Sequence, residues 1–232
     1  MTKELAEASA RPSRRELKST RREAAVVTAL DLAEREGVSG LTMRRLGDEM
    51  AVDPTTLYRL FRDKDELLLA VYDHVLSQNL AAVQPVDGEV WSDTLRRVAD
   101  QVWRSAARYP AVTALTFART TGGPAERRMV ELILTAFARA GLSRAEAVLY
   151  YRAFIDAALS VCGQSAVFST LDPEVRAKDA AAWSRIYAQL PGEDYPTVRE
   201  HIEDLTAIAD RAVYDAVVEA VLAAAERAAA TS

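Results

Sequence analysis

The sequence has little of what builds disulfide-stapled or metal-bound domains. It contains one cysteine, Cys162, and two widely spaced histidines, His74 and His201, among 232 residues. One thiol cannot form an intrachain disulfide, and two distant histidines do not make a zinc cluster, so we expect no metal and no cofactor. The N-terminus lacks the apolar core of a secretory signal, and no run of about 18 apolar residues occurs that could span a bilayer. We therefore expect a cytoplasmic protein without a membrane partner.

Glycine and proline are also scarce, with 9 and 8 residues, and alternating runs of β-branched residues are absent. Because alanine, leucine, arginine and glutamate are abundant instead, the composition predicts an all-α fold. The net charge of −5 does not by itself indicate nucleic-acid binding. One short stretch nevertheless contains six basic residues and a single acidic residue, Glu16. The basic residues are Arg11, Arg14, Arg15, Lys18, Arg21 and Arg22. This run is either a solvated tail or an arm that contacts DNA, and the second reading needs a groove-reading element after it.

The first third of the chain carries start and stop signals for short helices. The spacing Thr20-x-x-Glu23 matches a capping box and predicts the start of a first helix, which ends at Gly37. Thr42 then predicts the cap of a second helix, "MRRLGDEM". "AVD" is the expected turn after it. We expect residues 1–19 to form a basic, flexible arm.

A third helix is predicted from Pro54 to about Arg62, and a fourth from a capping box at Asp63-x-x-Glu66 to about Pro85. Three helices of these lengths, with a turn of about three residues before the third, predict a helix-turn-helix unit over residues 20–72. The unit is expected to continue without a flexible linker into residues 73–232.

The third helix has one apolar face that we expect to pack inward and one polar face that has no packing role. The inward face is Leu57, Leu60 and Phe61, and the outward stripe is Thr55, Tyr58, Arg59 and Arg62. Threonine methyls can touch thymine methyls, and arginine can reach guanine or phosphate when a helix enters the major groove. The alternative is a solvated amphipathic helix with a half-buried tyrosine.

Three neighbouring residues point to the same side of the predicted unit. Thr42 starts the second helix, Arg44 faces outward beside it, and Lys64 stands at the start of the fourth helix. Each has a plain alternative as a cap or a surface charge. Together with the basic run before them, they favour a surface that binds DNA phosphates.

Residues of about 20–75 resemble the N-terminal domain of the TetR family of bacterial one-component regulators. The matching pattern is "A..L..E.G...LTMR.LG..M.V...TLY..F..KDEL", and it covers about a quarter of the chain. The resemblance implies Thr42 and Lys64 on phosphates and Tyr58 on the DNA backbone. It also implies that a further set lies at or near base edges: Arg44, Pro54, Thr55, Thr56 and Arg59.

Two positions depart from the pattern of that family. Leu60 stands where many members have histidine, so a phosphate contact from that side chain is absent. Ala51 occupies a turn position where many members have glycine. If this residue has a positive φ, alanine costs on the order of 1 kcal/mol there.

After residue 90 the local signals predict longer helices, with a break at Tyr109-Pro110, a capping box at Ser143-x-x-Glu146 that starts a long helix, and one helix between Asp172-Pro173 and Pro191-Gly192. The resemblance implies that these helices form the family's ligand-binding and dimerisation region. The resemblance implies that two long helices per subunit form a four-helix bundle with a partner, and our candidates lie near 147–168 and 209–226. A stripe of small residues suits close approach of a partner helix, namely Ala209, Val213, Ala216, Ala220 and Ala224. The alternative is packing within the same subunit. Five aromatic residues could line a pocket or form plain core: Trp103, Phe117, Phe137, Tyr151 and Phe154.

These features predict a ligand-responsive transcriptional regulator, most simply a repressor. It would bind a palindromic double-stranded operator as a homodimer and be released by a hydrophobic or aromatic small molecule. The alternative is a helical small-molecule-binding protein without DNA-binding activity. We do not expect an enzyme, because the sequence has no metal-spaced His-Glu pair and no glycine-rich phosphate loop.

Overall fold

The computed structural model describes residues 13–84 and 86–231. Every regular element in these ranges is helical, which confirms the predicted all-α fold. No single helix in the described ranges is long and apolar enough to cross a membrane, although Arg144–Ser169 and Pro173–Ala180 meet that test as a pair bent by 118°. The chain divides between Val71 and Tyr72 into two compact units.

The first unit is built from α1 (Arg14–Gly40), α2 (Met43–Glu49), α3 (Pro54–Tyr58) and the start of α4 (Lys64–Ala82). Helix α2 packs against both α1 and α3. Each helix contributes apolar side chains to a buried core, including Ala29, Leu32, Leu46, Leu57, Phe61 and Leu67. Gly37 has a φ of +73° and interrupts α1, so the predicted stop at this glycine is confirmed.

The start of α1 differs from the prediction. The helix is capped by Ser13 rather than Thr20: Ser13 Oγ accepts from the amide of Glu16 at 3.2 Å, and Glu16 Oε2 accepts from the amide of Ser13 at 2.7 Å. Thr20 lies inside the helix, where its hydroxyl donates to the Glu16 carbonyl. Ser13-x-x-Glu16 is itself a capping box, and arginine, lysine and leucine after it favour helix. Residues 14–19 of the predicted flexible arm are therefore helical, and residues 1–12, with Arg11, lie outside the described ranges.

The second unit surrounds one long helix. Its elements after α4 are α5 (Trp91–Arg108), α6 (Pro110–Thr116), α7 (Pro124–Arg139), α8 (Arg144–Ser169), α9 (Pro173–Ala180), α10 (Ala182–Arg185), a 3-10 turn (Tyr187–Gln189), α11 (Pro196–Ala207) and α12 (Asp210–Ala229). Helix α8 packs against α5, α6, α7 and α12. It begins at the predicted capping box, in which Ser143 and Glu146 bond each other's backbone amides. The predicted break at Tyr109-Pro110 is also confirmed.

The segment from α9 to α11 differs from the rest of this unit. The sequence predicts one helix between Asp172 and Pro191, but the structure has two short helices and a 3-10 turn there. None of the described residues in α9, α10, the 3-10 turn or α11 is buried. Without an apolar face to bury, a long helix has no tertiary packing to stabilise it.

Candidate nucleic-acid interface and ligand cavity

Helix α2 begins at an exposed, capped corner with two arginines in different environments. Thr42 Oγ1 accepts a hydrogen bond from the amide of Arg45 at 3.0 Å, which confirms the predicted cap. The Arg45 guanidinium lies 2.6 Å from Glu36 and 2.8 Å from Glu49, and its hydrogen bonds lower the pKa of the Glu36 carboxyl. Arg44 is exposed and forms no ion pair with any described carboxylate. Arg45 thus fastens α2 to α1, and Arg44 is available to a ligand.

The turn between α2 and α3 depends on two small residues. A Cβ on Gly47 would lie 2.9 Å from the carbonyl oxygen of Val52 and 3.3 Å from Pro54 Cγ, closer than packed atoms allow. Only glycine therefore lets α2 approach the start of α3 this closely. Ala51 has a φ of +53°, and this positive φ makes alanine unfavourable at the turn position, as stated above.

Helix α3 starts as the sequence predicts. Asp53 Oδ1 accepts from the amide of Thr55 at 2.8 Å, and hydrogen bonds from Thr55 lower the pKa of the Asp53 carboxyl. Pro54 takes the first helical position, where its missing N–H costs no hydrogen bond. Leu57 is fully buried and anchors the helix to the core of the first unit.

The end of α3 differs from the prediction. Regular helix stops at Tyr58 with Arg59 as the cap, and the amides of Leu60 and Phe61 both bond to the carbonyl of Leu57. The chain must turn here because Phe61 is buried, with the Arg22 guanidinium 4.7 Å from its ring centroid. Leu60 is only half-buried, so the inward face is narrower than predicted.

Arg62 consequently does not continue the predicted stripe. Its amide donates to Glu66 Oε2 at 2.9 Å, and its side chain pairs with Asp63 at 2.9 Å while remaining 80% exposed. Asp63 also caps the amide of Glu66 at 2.8 Å. These bonds make Arg62 and Asp63 part of the start of α4.

The face of α3 away from the core is polar and open. Thr55, Tyr58 and Arg59 are exposed, with 55% of Tyr58 accessible, and Thr56 is half-buried. Arg59 has no hydrogen bond or ion pair with another described side chain, although Asp53 senses its charge. A hydroxyl, a phenol and a guanidinium in a row can contact base edges and phosphates, as the resemblance implies.

Lys64 has a second contact that the sequence did not predict. Its Nζ donates to the carbonyl oxygen of Val38 at 2.8 Å, just after the break in α1 at Gly37. An ammonium has three donors, so this bond leaves two for another acceptor.

The second unit contains a cavity of about 80 Å³ lined by residues of α4, α5, α6, α7 and α8. Apolar side chains dominate its wall, including Val75, Leu76, Val102, Met129, Ile133 and Ile155. A drug-sized ligand needs several hundred cubic ångströms. The cavity must therefore widen, by repacking of its walls, to hold such a molecule.

A few polar groups interrupt this wall. Asn79 is buried, and its Oδ1 accepts from Gln101 Nε2 at 3.2 Å. Burial raises the pKa of Tyr72 to about 12, with the negative charge of Glu126 adding to the effect, and the same two causes raise the pKa of Tyr151. Both phenols stay protonated and can donate to a ligand. The residues from α4 were not predicted, although Asn79 within an apolar helix was a usable signal.

Of the five predicted pocket aromatics, Tyr151 lines this cavity. Phe137 and Phe154 are in the core, in edge contact with centroids 6.1 Å apart. Trp103 packs on Tyr214 at 5.0 Å, and Phe117 lies against Gly163, where an added Cβ would collide with its ring. For these four the structure favours packing, because each already has close neighbours on its ring.

The predicted dimer stripe is exposed in the single chain. Ala209, Val213, Ala216 and Ala220 are accessible and Ala224 is half-buried. The other side of α12 carries the buried residues Tyr214, Val218, Leu222 and Ala225. The alternative reading, packing of the stripe within the same subunit, is therefore wrong for its exposed members. Among the described residues, no group of three or more His, Cys, Asp or Glu is placed to hold a metal ion.

Residues 26–71 match the model of a domain described as bacterial regulatory proteins, tetR family. An HTH-type transcriptional repressor of Mycobacterium tuberculosis is 31% identical over 144 residues, which are 60% of this chain and 55% of that protein. The chain thus spans about half the length of the curated relatives it matches.

Two solved structures cover most of the chain. The transcriptional regulator SCO7222 of Streptomyces coelicolor, a TetR protein, has a TM-score of 0.72 at 25% identity and covers 89% of this chain and 98% of its own. ActR of the same organism, in complex with actinorhodin, has a TM-score of 0.76 at 20% identity and covers 88% and 94%. The family match shows that residues 26–71 form a domain of the tetR family of bacterial regulatory proteins, and the two solved structures show that most of the chain shares their fold.

Proposed function

We propose that this chain is a ligand-responsive transcriptional repressor that binds a palindromic operator as a homodimer in the cytoplasm. The observation that carries the proposal is the outer face of α3. It presents Thr55, Tyr58 and Arg59 without a packing role, while Leu57 and the Asp53 cap fix the helix that holds them. Rigid support for exposed polar groups is what groove reading needs.

Each residue of the surface has a proposed contact. Thr42 and Lys64 bind phosphates, and Tyr58 contacts the DNA backbone. The remaining five, Arg44, Pro54, Thr55, Thr56 and Arg59, lie at or near base edges. The pairing of Arg45 with two carboxylates supports this assignment, because it leaves Arg44 as the one arginine of "MRR" with a free guanidinium among the described residues.

We assign dimerisation to α8 and α12. These helices pack on each other within the chain, and α12 leaves Val213, Ala216 and Ala220 exposed on its far side. Small side chains allow two helices to approach closely across a two-fold axis. In such a dimer the two α3 helices would meet successive major grooves, about 34 Å apart.

We assign effector binding to the cavity of the second unit, and its apolar wall favours a hydrophobic or aromatic molecule. Phenols at Tyr72 and Tyr151 and the amide at Asn79 would orient that molecule. ActR, which shares this fold, has been solved in complex with actinorhodin.

Helix α4 is the proposed link between effector and DNA. It carries Lys64 at its start and contributes Tyr72, Val75, Leu76 and Asn79 to the cavity. Since the cavity must widen to accept a ligand, the ligand selects a state in which α4 is displaced. Effector and operator then oppose each other through linkage.

The experiment is a titration of the full chain with labelled DNA from upstream of its own gene, and with a pool selected from random sequence, at several salt concentrations. We expect binding below micromolar concentration, with an affinity that falls steeply as salt rises. Absence of binding to both DNAs at moderate salt would contradict the proposal and favour a helical ligand-binding protein without DNA-binding activity.

A further inference from the structure

The extension of α1 that begins at Arg14 forms one wall of a groove on the first unit. Arg14, Leu17, Lys18 and Arg21 follow each other at helical spacing on this wall. The opposite wall consists of Thr56, Arg59 and Leu60. The groove encloses about 390 Å³ and is open to solvent.

The charge of this groove is of one sign. Four of its seven lining residues are cations, and none is a carboxylate. Within the described chain, Arg14, Lys18 and Arg21 form no ion pair and no side-chain hydrogen bond. Glu16, the acid on the same helix segment, is held by Ser13. Lys18 stands four residues from Arg14 and three from Arg21, so the like charges destabilise the helix unless an anion offsets them.

The other two basic residues of this part of α1, Arg15 and Arg22, do not line the groove. Arg22 lies over the ring of Phe61 and 3.7 Å from Glu66, so it has a packing role. Arg15 is exposed and does not line the groove. The structure thus separates the five described residues of the basic run into one arginine that packs, Arg22, one surface arginine, Arg15, and three cations that converge with Arg59.

We infer that this groove binds the phosphodiester backbone of the operator, so that α1 extends the contact made by α3. The inference rests on the proposed DNA binding. Thr56 supplies a hydroxyl beside the cations, and hydroxyls and guanidiniums are the usual phosphate partners. From Arg14 to Arg21 the helix rises about 10 Å. If this part of α1 runs along the duplex axis, that length spans about three phosphates of one strand, at 3.4 Å of axis per phosphate.

The contact of Arg14, Lys18 and Arg21 carries no base readout, because these three cations face a backbone, whereas Arg59 on the opposite wall lies at or near base edges. It therefore adds affinity equally to all DNA sequences and leaves the preferred operator unchanged. The Ser13 capping box keeps this part of α1 helical before DNA is present, so the three cations are already in position.

The test replaces Arg14, Lys18 and Arg21 by glutamine, which keeps helix propensity and removes charge. The matched control is Arg15→Gln, with the same change of charge per site on the same helix. We expect the triple variant to bind every DNA about tenfold or more weakly at low salt. The slope of log K against log salt should shrink by about 0.9 for each lost phosphate contact, or about 2 to 3 in total. Arg15→Gln should change neither quantity by a comparable amount.

Circular dichroism verifies that α1 stays helical in both variants, and single substitutions should give graded effects. If the wild type binds its operator and Arg59→Ala weakens it, but the triple variant keeps wild-type affinity and slope, the groove does not hold DNA and this inference is overturned alone. In that outcome, the anion that the groove binds would be an acidic protein surface and not DNA. If the wild type binds no DNA, the proposed function falls and this inference falls with it.

Discussion

The ammonium of Lys64 donates a hydrogen bond to the carbonyl oxygen of Val38 at 2.8 Å. This bond joins the start of α4 to the last residues of α1, just after its break at Gly37. A residue that the sequence assigned to phosphate binding therefore also holds two elements of the first unit together. Arg59, on the exposed face of α3, has no such bond.

This difference predicts that two alanine substitutions have unequal effects on stability. Lys64→Ala should lower the free energy of unfolding by about 1 kcal/mol, because a partly buried carbonyl loses its donor. Arg59→Ala should leave stability within about 0.5 kcal/mol of wild type, as an exposed substitution does. Urea titration followed by circular dichroism measures both. Equal losses in the two variants would contradict the roles assigned to them.

The turn at Ala51 offers a stabilising substitution. Relief of the left-handed conformation is worth about 1–2 kcal/mol, and the added backbone entropy of glycine costs about 0.4–1 kcal/mol. Ala51→Gly should therefore stabilise the chain by about 0.5 kcal/mol or more. Ala140→Gly is the control, since Ala140 has a φ of −70° and glycine brings only the entropic cost. A destabilised Ala51→Gly variant would show that this turn is not strained.

Cys162 should be protected from alkylation. It is 1% exposed on the cavity wall, and burial raises the pKa of its thiol to about 12. At pH 8 only about one thiol in ten thousand is then ionised, and the thiolate is the reactive form. Mass spectrometry after iodoacetamide treatment should find the native chain unmodified and the urea-unfolded chain fully modified. Equal rates in the two states would mean that the cavity opens freely.

The segment from α9 to α11 should be the least protected helical part of the second unit. Because its described residues bury no side chain, local opening exposes little apolar surface and costs little free energy. Hydrogen exchange should label its amides far faster than those of α8. Slow exchange in α9 to α11 would show that another surface covers exposed residues such as Trp183 and Ile186.

The helices with complete local signals were predictable from the sequence. The Thr42 cap, the glycine break at Gly37, the capping box at Ser143 and the Tyr109-Pro110 break all act within one turn of the chain, and all four are confirmed. The start of α1 was missed although Ser13-x-x-Glu16 has the same form as the box chosen at Thr20, because both patterns fit and only one begins the helix.

Properties that depend on distant residues were less predictable. Sequence spacing placed Arg62 on the outer stripe of α3, but burial of Phe61 ends the helix first. Arg44 and Arg45 are neighbours of equal chemistry, and only the folded positions of Glu36 and Glu49 distinguish them. The cavity likewise gathers residues from five helices. Aromatic content alone therefore selected one residue that lines the cavity, Tyr151, and four that pack elsewhere, and a role of Tyr151 in ligand binding stays a prediction.

The most direct test of DNA recognition by α3 compares the operator affinity of wild type, Arg59→Ala and Arg127→Ala at fixed salt. Arg127 is an exposed arginine of the second unit and controls for loss of one charge. We expect Arg59→Ala to weaken operator binding by about 1–3 kcal/mol and to relax sequence preference at one or two base pairs. Arg127→Ala should bind like the wild type. Unchanged affinity and sequence preference in a folded Arg59→Ala protein would contradict the account.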